Sequence, residues 1–283
     1  MTFNRKTLHR RDFVRYLGAW LGTAWLQGCA TPPRPPACPE TAAGAAPNAW
    51  TAPADAPAPG PRHTQVVLFD AFAVFDPRPV FRLAGELFPG SGPALAEEWR
   101  TRQFEYTWLR TASQRYKDFW AVTEDALRFA CSKLALDLTD PKRERLMGAY
   151  LELRPWPDAP GALAALRDQG LRLAFLSNMT EPMLRSNARA SGIERWFDEM
   201  LSTDRRATYK PHPQAYALGM EAFGVRREEA VFVAFAGWDA AGAKWFGYPT
   251  FWNNRLRMQQ ERLDVEVDAQ GPTLDALLPF VRA

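Results

Sequence analysis

The sequence predicts an α/β fold, a doubly wound parallel sheet core with an inserted all-helical cap domain. Three observations carry that prediction. Short, nearly unbroken apolar runs stand at Val66–Phe69, Leu173–Leu176 and Val231–Ala236, as expected for strands buried on both faces of a parallel sheet. Helical patterns alternate with the later runs, the order that βα units require. Residues 79–154, directly after the first run, hold only helical patterns. A helical insertion at that place sits over the carboxyl ends of the strands, where open parallel sheets bind ligands.

The first 29 residues are expected to be a signal rather than fold. Arg10 and Arg11 lead through Phe13 and Arg15 into an apolar run, Tyr16 to Leu26. Eleven residues at about 1.5 Å each reach roughly 16 Å as a helix, half of a bilayer core, so the run suits export and not a span. The stretch resembles a twin-arginine signal. Its "LQGC" end resembles a lipoprotein processing box, which implies lipidation of Cys29, a membrane anchor and a periplasmic location. Residues 30–63 hold ten of the 24 prolines and no aliphatic residue larger than alanine. Such a segment cannot offset its ordering entropy by burial. It reads as a disordered tether reaching roughly 100 Å.

In the folded part, the helical patterns follow in order. "LAEEWRTRQFEYTWLRTASQRY" is one long aromatic helix. A second starts at Thr123, with Glu124 and Asp125 in its first turn and Ala126, Phe129 and Leu134 on one face. Thr139-Asp140-Pro141 opens a third, with Leu146, Ala149, Tyr150 and Leu153 turned inward. Beyond the cap, Asp158 is a candidate cap for "APGALAALRDQG", Pro182 and Gly192 bracket the next helix, and "PHPQAYALGMEAFG" repeats the theme. The domain boundaries read 64–78 with 155–283 for a Rossmann-like core and 79–154 for the cap.

A net charge of +3 excludes a dedicated nucleic-acid surface. The histidines, His9, His63 and His212, stand far apart and none pairs with a cysteine, so no zinc site is expected. No cofactor is expected. The chemistry gathers instead at strand ends. Asp70 follows the first run, Ser177 and Asn178 end the second, and Asp239 lies just past the third. Lys210 stands before Pro211, with Tyr216 one to two helical turns on.

These residues carry a resemblance. From about 64 to 255 the chain is similar to the haloacid dehalogenase superfamily, and within it to the type II L-2-haloacid dehalogenases. The matches are "FDAF" with "FDPRPVF", "WRTRQFEYTWLRTASQRYKDFW", "LSNMT", "YKPHPQAYALG" and "GWDAAGAKWFGYPTFWNNR". The resemblance implies a hydrolytic dehalogenase acting on short 2-haloacids through an ester on Asp70. It implies Arg100 and Asn178 at the leaving halide, Ser177 at the substrate carboxylate, and Lys210 with Asp239 at the hydrolytic water. Phe72, Tyr216 and Trp238 join Ser177 and Asn178 as implied substrate-binding residues. A homodimer is compatible with the sequence, which does not set the oligomeric state.

The chain also departs from the resemblance. Metal-dependent phosphatases of the superfamily carry acids where this chain has Phe72 and Phe235, so magnesium chemistry is not expected. The dehalogenases usually carry threonine at the place of Val74, and serine, serine and asparagine at Ala234, Phe235 and Ala236. The hydrogen-bonding surround of Asp70 is thus partly replaced by hydrocarbon, and ester hydrolysis is the step expected to suffer. A second reading follows from the same loss: a tethered lipoprotein that binds a small carboxylate without turnover.

Overall fold

A computed structural model describes residues 63–282. The expectations for the signal, for Cys29 and for the tether up to residue 62 lie outside the described residues. In chain order the elements are β1 (Val66–Phe69), α1 (Ala71–Val74), α2 (Arg78–Leu87), α3 (Gly92–Ala112), α4 (Phe119–Lys133) and α5 (Asp140–Gly148). They continue with α6 (Ala159–Asp168), β2 (Arg172–Ser177), α7 (Glu181–Ala190), β3 (Glu199–Ser202), α8 (Pro213–Phe223) and β4 (Ala230–Ala234). The last are α9 (Gly237–Phe246), β5 (Thr250–Asn253), β6 (Ala269–Gly271) and α10 (Leu277–Arg282).

The sheet has six parallel strands in the order β3-β2-β1-β4-β5-β6. Phe69 at the end of β1 stands beside Phe175 of β2 and Val233 of β4. The chain leaves β1 toward β2 and β3, then returns to the other side for β4. The strand order therefore reverses at the β1–β4 pair, the place where a crevice opens at the carboxyl ends of such sheets.

Alternate residues of each strand feed opposite faces, the two-residue period of a pleated sheet. Val67, Phe69, Leu173, Phe175, Val231 and Val233 join an apolar cluster with α6, α7 and the cap helices. Val66, Leu68, Ala174, Leu176, Phe232 and Ala234 join a second with α8 and α9. All four side chains of β1 are fully buried, each apolar one contributing about 1.5–3 kcal/mol on removal from water.

The cap helices α2 to α5 are moored to the core at several points. Asn187 of α7 accepts from the Leu153 N–H at 2.7 Å and donates to the Tyr150 carbonyl at 2.9 Å. Tyr116, between α3 and α4, donates to Asp204 just after β3. Tyr209 donates to the Lys117 carbonyl at 2.5 Å.

Several local expectations change. Helix α4 begins at Phe119, because the Asp118 carboxylate accepts from the Ala121 N–H at 2.8 Å and caps it four residues early. Thr123 lies inside the helix, donating back to the Phe119 carbonyl at 2.6 Å. Asp158 sits at the start of α6 but makes no side-chain cap bond. Arg255 takes its carboxylate in a bidentate pair at 2.8 and 2.9 Å, and a charge-assisted fork outcompetes a single neutral amide. The third apolar run stops as a strand at Ala234. Phe235 and Ala236 form the turn into α9.

Candidate active site

Asp70, Ser177 and Asn178 are set where β1 and β2 end, Lys210 and Asp239 lie in the segments that follow β3 and β4, and Arg100 comes from α3. The Asp70 N–H donates to the Val233 carbonyl at 3.0 Å, the last bond that ties this end of β1 to β4. The backbone then turns into α1, and Asp70 Oδ2 accepts from the Phe72 N–H at 3.1 Å. Its other oxygen, Oδ1, accepts from Lys210 Nζ at 2.9 Å. A carboxylate at a strand end is thereby both a local cap and one end of a charged chain.

At the end of β2, Ser177 Oγ accepts from the Met179 N–H at 3.1 Å, which leaves its own O–H to donate elsewhere. Asn178 Oδ1 accepts from the Lys210 N–H at 2.9 Å. A backbone N–H can only donate, so this bond fixes the amide orientation and turns the NH2 of Asn178 to the cleft it lines. Neither residue caps α7. Thr180 does, accepting from the Met183 N–H at 3.3 Å.

Lys210, joined to Pro211 by a cis peptide bond, is fully buried. Its ammonium bridges Asp70 Oδ1 and Asp239 Oδ2, the latter at 2.7 Å. Asp239 lies in the first turn of α9, where the helix dipole favours an anion. Its Oδ1 accepts from the Tyr216 hydroxyl at 2.7 Å. The four residues form one chain, Asp70–Lys210–Asp239–Tyr216. Tyr216 was expected at the substrate, but it is fully buried and does not line the cleft. Its aromatic ring packs between α9 and β4, against Phe232 and Phe246, so the hydroxyl reaches Asp239 only from behind.

The chain holds two carboxylates and one ammonium, so one negative charge lacks a counter-charge within it. Asp239 bears the consequence: burial pushes its carboxyl up to about 6, with the Lys210 charge opposing and the Asp70 charge adding. Burial alone would lower Lys210, but the charges of Asp239 and Asp70 outweigh it and hold the ammonium above its ordinary range. Tyr216 is pushed well above a free phenol, by burial first and then by the Asp239 charge.

A cleft reaches this chain. Asp70, Phe72, Ser177, Asn178, Phe235, Ala236, Trp238 and Asp239 line its core side, and Phe81, Arg100, Gln103, Phe104, Phe119 and Tyr150 its cap side. Arg100 brings its guanidinium in from α3, 5.9 Å from the Phe104 ring centre, with no carboxylate partner among the described residues. Trp238 stands edge-on to Phe104 at 5.4 Å and Trp108 at 5.5 Å. The structure thus brings Asp70, Arg100, Asp239, Phe72, Ser177, Asn178 and Trp238 to one cleft, Arg100 from the cap side and the others from the core side, with Lys210 and Tyr216 behind the core wall. Cys29 lies outside the described residues.

The cap contributes residues that sequence reasoning missed. Gln103 stands three places after Arg100 on α3, one helical turn away and on the same face; that spacing was the available signal. Gln103 donates to the Thr123 hydroxyl at 2.8 Å. Of the apolar replacements, Phe235 and Ala236 line the cleft, whereas Val74 and Ala234 are buried away from it. Glycine 242 was also missed. A Cβ on Gly242 would stand 2.4 Å from the Tyr216 hydroxyl and 2.7 Å from Pro211 Cβ, so only glycine lets α9 approach the chain this closely.

Known proteins share this arrangement of elements. Residues 80–247 match the profile of the haloacid dehalogenase-like hydrolases. The chain is 38% identical over 218 residues to haloacetate dehalogenase H-2 of Moraxella sp. (strain B), covering 77% of this chain and 97% of that one. It is 39% identical over 213 residues to (S)-2-haloacid dehalogenase of Pseudomonas sp. (strain YL), covering 75% and 92%. Among solved structures, L-2-haloacid dehalogenase of Xanthobacter autotrophicus superposes with a TM-score of 0.72 at 33% identity, over 78% of this chain and 99% of that one. A structure of L-2-haloacid dehalogenase from that organism with chloropropionic acid covalently bound gives 0.70 at 32% identity, with the same coverage. With a matching profile over more than half its length and relatives of this similarity, the chain belongs to the haloacid dehalogenase-like hydrolases.

Proposed function

We propose that the protein hydrolyses short L-2-haloacids to 2-hydroxy acids and halide through an ester on Asp70. The observation that carries this reading is the hydrogen-bonded Asp70–Lys210–Asp239 chain at a cleft that also holds the unpaired guanidinium of Arg100. An Asp70 oxygen attacks C2 in line with the carbon–halogen bond. The C–O bond forms, the C–X bond breaks with its electron pair on the halide, and C2 inverts. Arg100 and the Asn178 NH2 meet the charge that develops on the halogen. The free O–H of Ser177 donates to the substrate carboxylate. Water then attacks Asp70 Cγ, passing one proton to the Asp239 carboxylate. The bond from Cγ to the ester oxygen breaks with its electron pair on that oxygen, which takes the proton back from Asp239 and leaves as the 2-hydroxy acid, and the second water proton is lost to solvent. One water oxygen stays on Asp70.

The reaction needs no metal on this reading. Lys210 Nζ occupies the position between the two carboxylates and uses one oxygen of each. The side chains at 72 and 235, facing the same cleft, are phenyl rings that cannot ligate. The similarity to dehalogenases of (S)-2-haloacids and of haloacetate supports the substrate class. We also propose that the chain works in the periplasm, tethered to a membrane by a lipid on Cys29. The test of the chemistry is halide release from each enantiomer of 2-chloropropionate, with and without chelator. The S enantiomer should react, chelator should change nothing, and Asp70→Asn should lower the rate at least about a thousandfold. Halide release that survives Asp70→Asn would overturn the mechanism.

A further inference from the structure

A second cleft opens beside the first. Arg100, Phe235, Ala236 and Trp238 line both, so the two spaces meet along a shared wall. Ala236 is the smallest of the four. The far wall of the second cleft is the segment after β5. There the Asn254 side chain closes a turn on Met258, accepting from its N–H at 2.7 Å and donating to its carbonyl at 3.0 Å. The pinned turn displays Leu256, 43% exposed, and Met258, 54% exposed, to this space. Two large apolar side chains held open to water beside a reaction cleft stay unsatisfied until apolar matter covers them. At the outer end lies Glu261. Its Cγ sits 3.0 Å from where a Cβ on Gly237 would be, so the absence of a side chain at 237 seats it against the first turn of α9. No basic side chain pairs with Glu261 among the described residues.

We propose that this second cleft is a subsite for the part of the substrate beyond C3. The preferred substrates are then unbranched 2-haloalkanoic acids longer than propionate, and acids with a distal carboxylate are rejected. The proposal rests on the dehalogenase reading of the adjoining site. The occupant is apolar because Leu256, Met258, Trp238, Phe235 and Ala236 give it hydrocarbon and ring faces, while the polar lining is Arg100 in the wall shared with the first cleft and Asn254, Gln259 and Glu261 beyond it. It enters from C2 because Arg100, Phe235, Ala236 and Trp238 also line the cleft that holds Asp70. Glu261 sets the second rule. Arg100 lies in the wall shared with the first cleft, where the proposed chemistry engages it; a chain end carrying negative charge beyond that wall meets the Glu261 carboxylate, whereas a methyl end does not.

The experiment measures kcat/KM on the full chain for (S)-2-chloropropionate, (S)-2-chlorohexanoate and 2-chloroadipate. A fully buried methylene favours binding about fourfold, so three of them in a half-open groove should favour the hexanoate by at least about tenfold. Leu256→Ser combined with Met258→Ser should cut the hexanoate-to-propionate ratio about tenfold. Glu261→Gln should raise the adipate-to-hexanoate ratio about fivefold. Ratios that stay the same in these variants overturn the subsite. Calorimetric binding of 2-hydroxyhexanoate and lactate separates this idea from the reading beneath it. If no acid releases halide, the dehalogenase reading fails, and the subsite stands only if 2-hydroxyhexanoate binds at least about tenfold tighter than lactate in wild type and loses that advantage in the serine pair. Equal binding of the two hydroxy acids overturns it.

Discussion

Asp239 is held from behind at both oxygens, by Tyr216 on Oδ1 and by Lys210 on Oδ2. A water in front of it can share a remaining lone pair, but the side chains of Phe235 and Ala236 in the same wall supply no donor or acceptor. A well-ordered water needs two to four polar partners. Attack on C2 has no such need, so ester formation should outrun ester hydrolysis. Rapid mixing should then show a burst of about one halide per site followed by a slower phase. Quenched protein should be heavier by the acyl group on the peptide that holds Asp70. Ala236→Asn, which puts an amide on the cleft wall, should speed the slow phase about tenfold on 2-chloropropionate. Val74→Thr should do little, because Val74 is buried away from the cleft. Linear halide release with no adduct would sink the idea. The pH dependence comes from the same residue. With its carboxyl pushed up to about 6 by burial, Asp239 loses the ionised form below that pH, and steady-state turnover should fall about tenfold per unit. Stability should move the other way. A folded pKa above the ordinary 3.8 means that the fold binds this proton more tightly, so the contribution of Asp239 to stability rises as pH falls from about 6 to about 4. At Asp158 burial acts to raise the carboxyl, but the bonds from Arg255 outweigh it and hold it low, so what it contributes is lost only at more acid pH. Urea midpoints at pH 5 that drop in step with activity would show acid unfolding in place of a titrating base.

At the scale of elements, the close approach of α9 to α8 decides whether Asp239 and Tyr216 can meet. Gly242→Ala should improve intrinsic helix propensity by about 1 kcal/mol. It also drives a Cβ into the Tyr216 hydroxyl and Pro211, and overpacking of a tight site costs about 1–3 kcal/mol. The expected outcome is a lower melting temperature and a kcat reduced at least about tenfold, with KM little changed. A variant that melts higher and turns over normally would show that α9 has slack. This helix also marks how much the sequence disclosed. The runs that became β1, β2 and β4 were legible because each is buried on both faces and reads as continuous hydrocarbon. Strands β3, β5 and β6 were not, since Glu199, Thr250, Asn253 and Gln270 interrupt them. Their pairing partners, and not their own composition, make them strands. Asp70, Ser177, Asn178 and Asp239 were legible as polar residues at strand ends. Gln103, Phe119 and Tyr150 reach the cleft only because the cap folds back over the sheet, a tertiary fact with no local signature. Asp118 and Asp158 show the same limit in caps: which carboxylate caps a helix depends on what else, such as Arg255, competes for it.

At the scale of the whole molecule, the core and cap form one packed body whose charged chain exists only after folding. Residues from β1, β2, the turn before α8 and α9 must meet before Lys210 finds both carboxylates. An ammonium with both partners displaced would be strongly disfavoured in that interior. A chain of this kind suits a route that carries folded protein, which the resemblance of the Arg10-Arg11 stretch to a twin-arginine signal leads us to propose. No helix among the described residues is long and apolar enough to cross a membrane; the attachment proposed above is a lipid on Cys29. A single acyl chain binds membranes only reversibly, whereas two or more hold firmly. Residues 30–63 would then let the folded body stand off the surface by up to roughly 100 Å. Changing Arg10 and Arg11 together to lysine should leave unprocessed precursor in the cytoplasm, with halide-releasing activity in that fraction if the protein is folded there. Cys29→Ala should leave the membrane fraction empty of protein while the soluble activity per molecule stays the same. Fractionation with an immunoblot separates the two steps, because the first variant fails to cross and the second fails to attach. Normal export of the lysine pair would remove the twin-arginine reading. Membrane-bound Cys29→Ala protein would move the anchor to another segment.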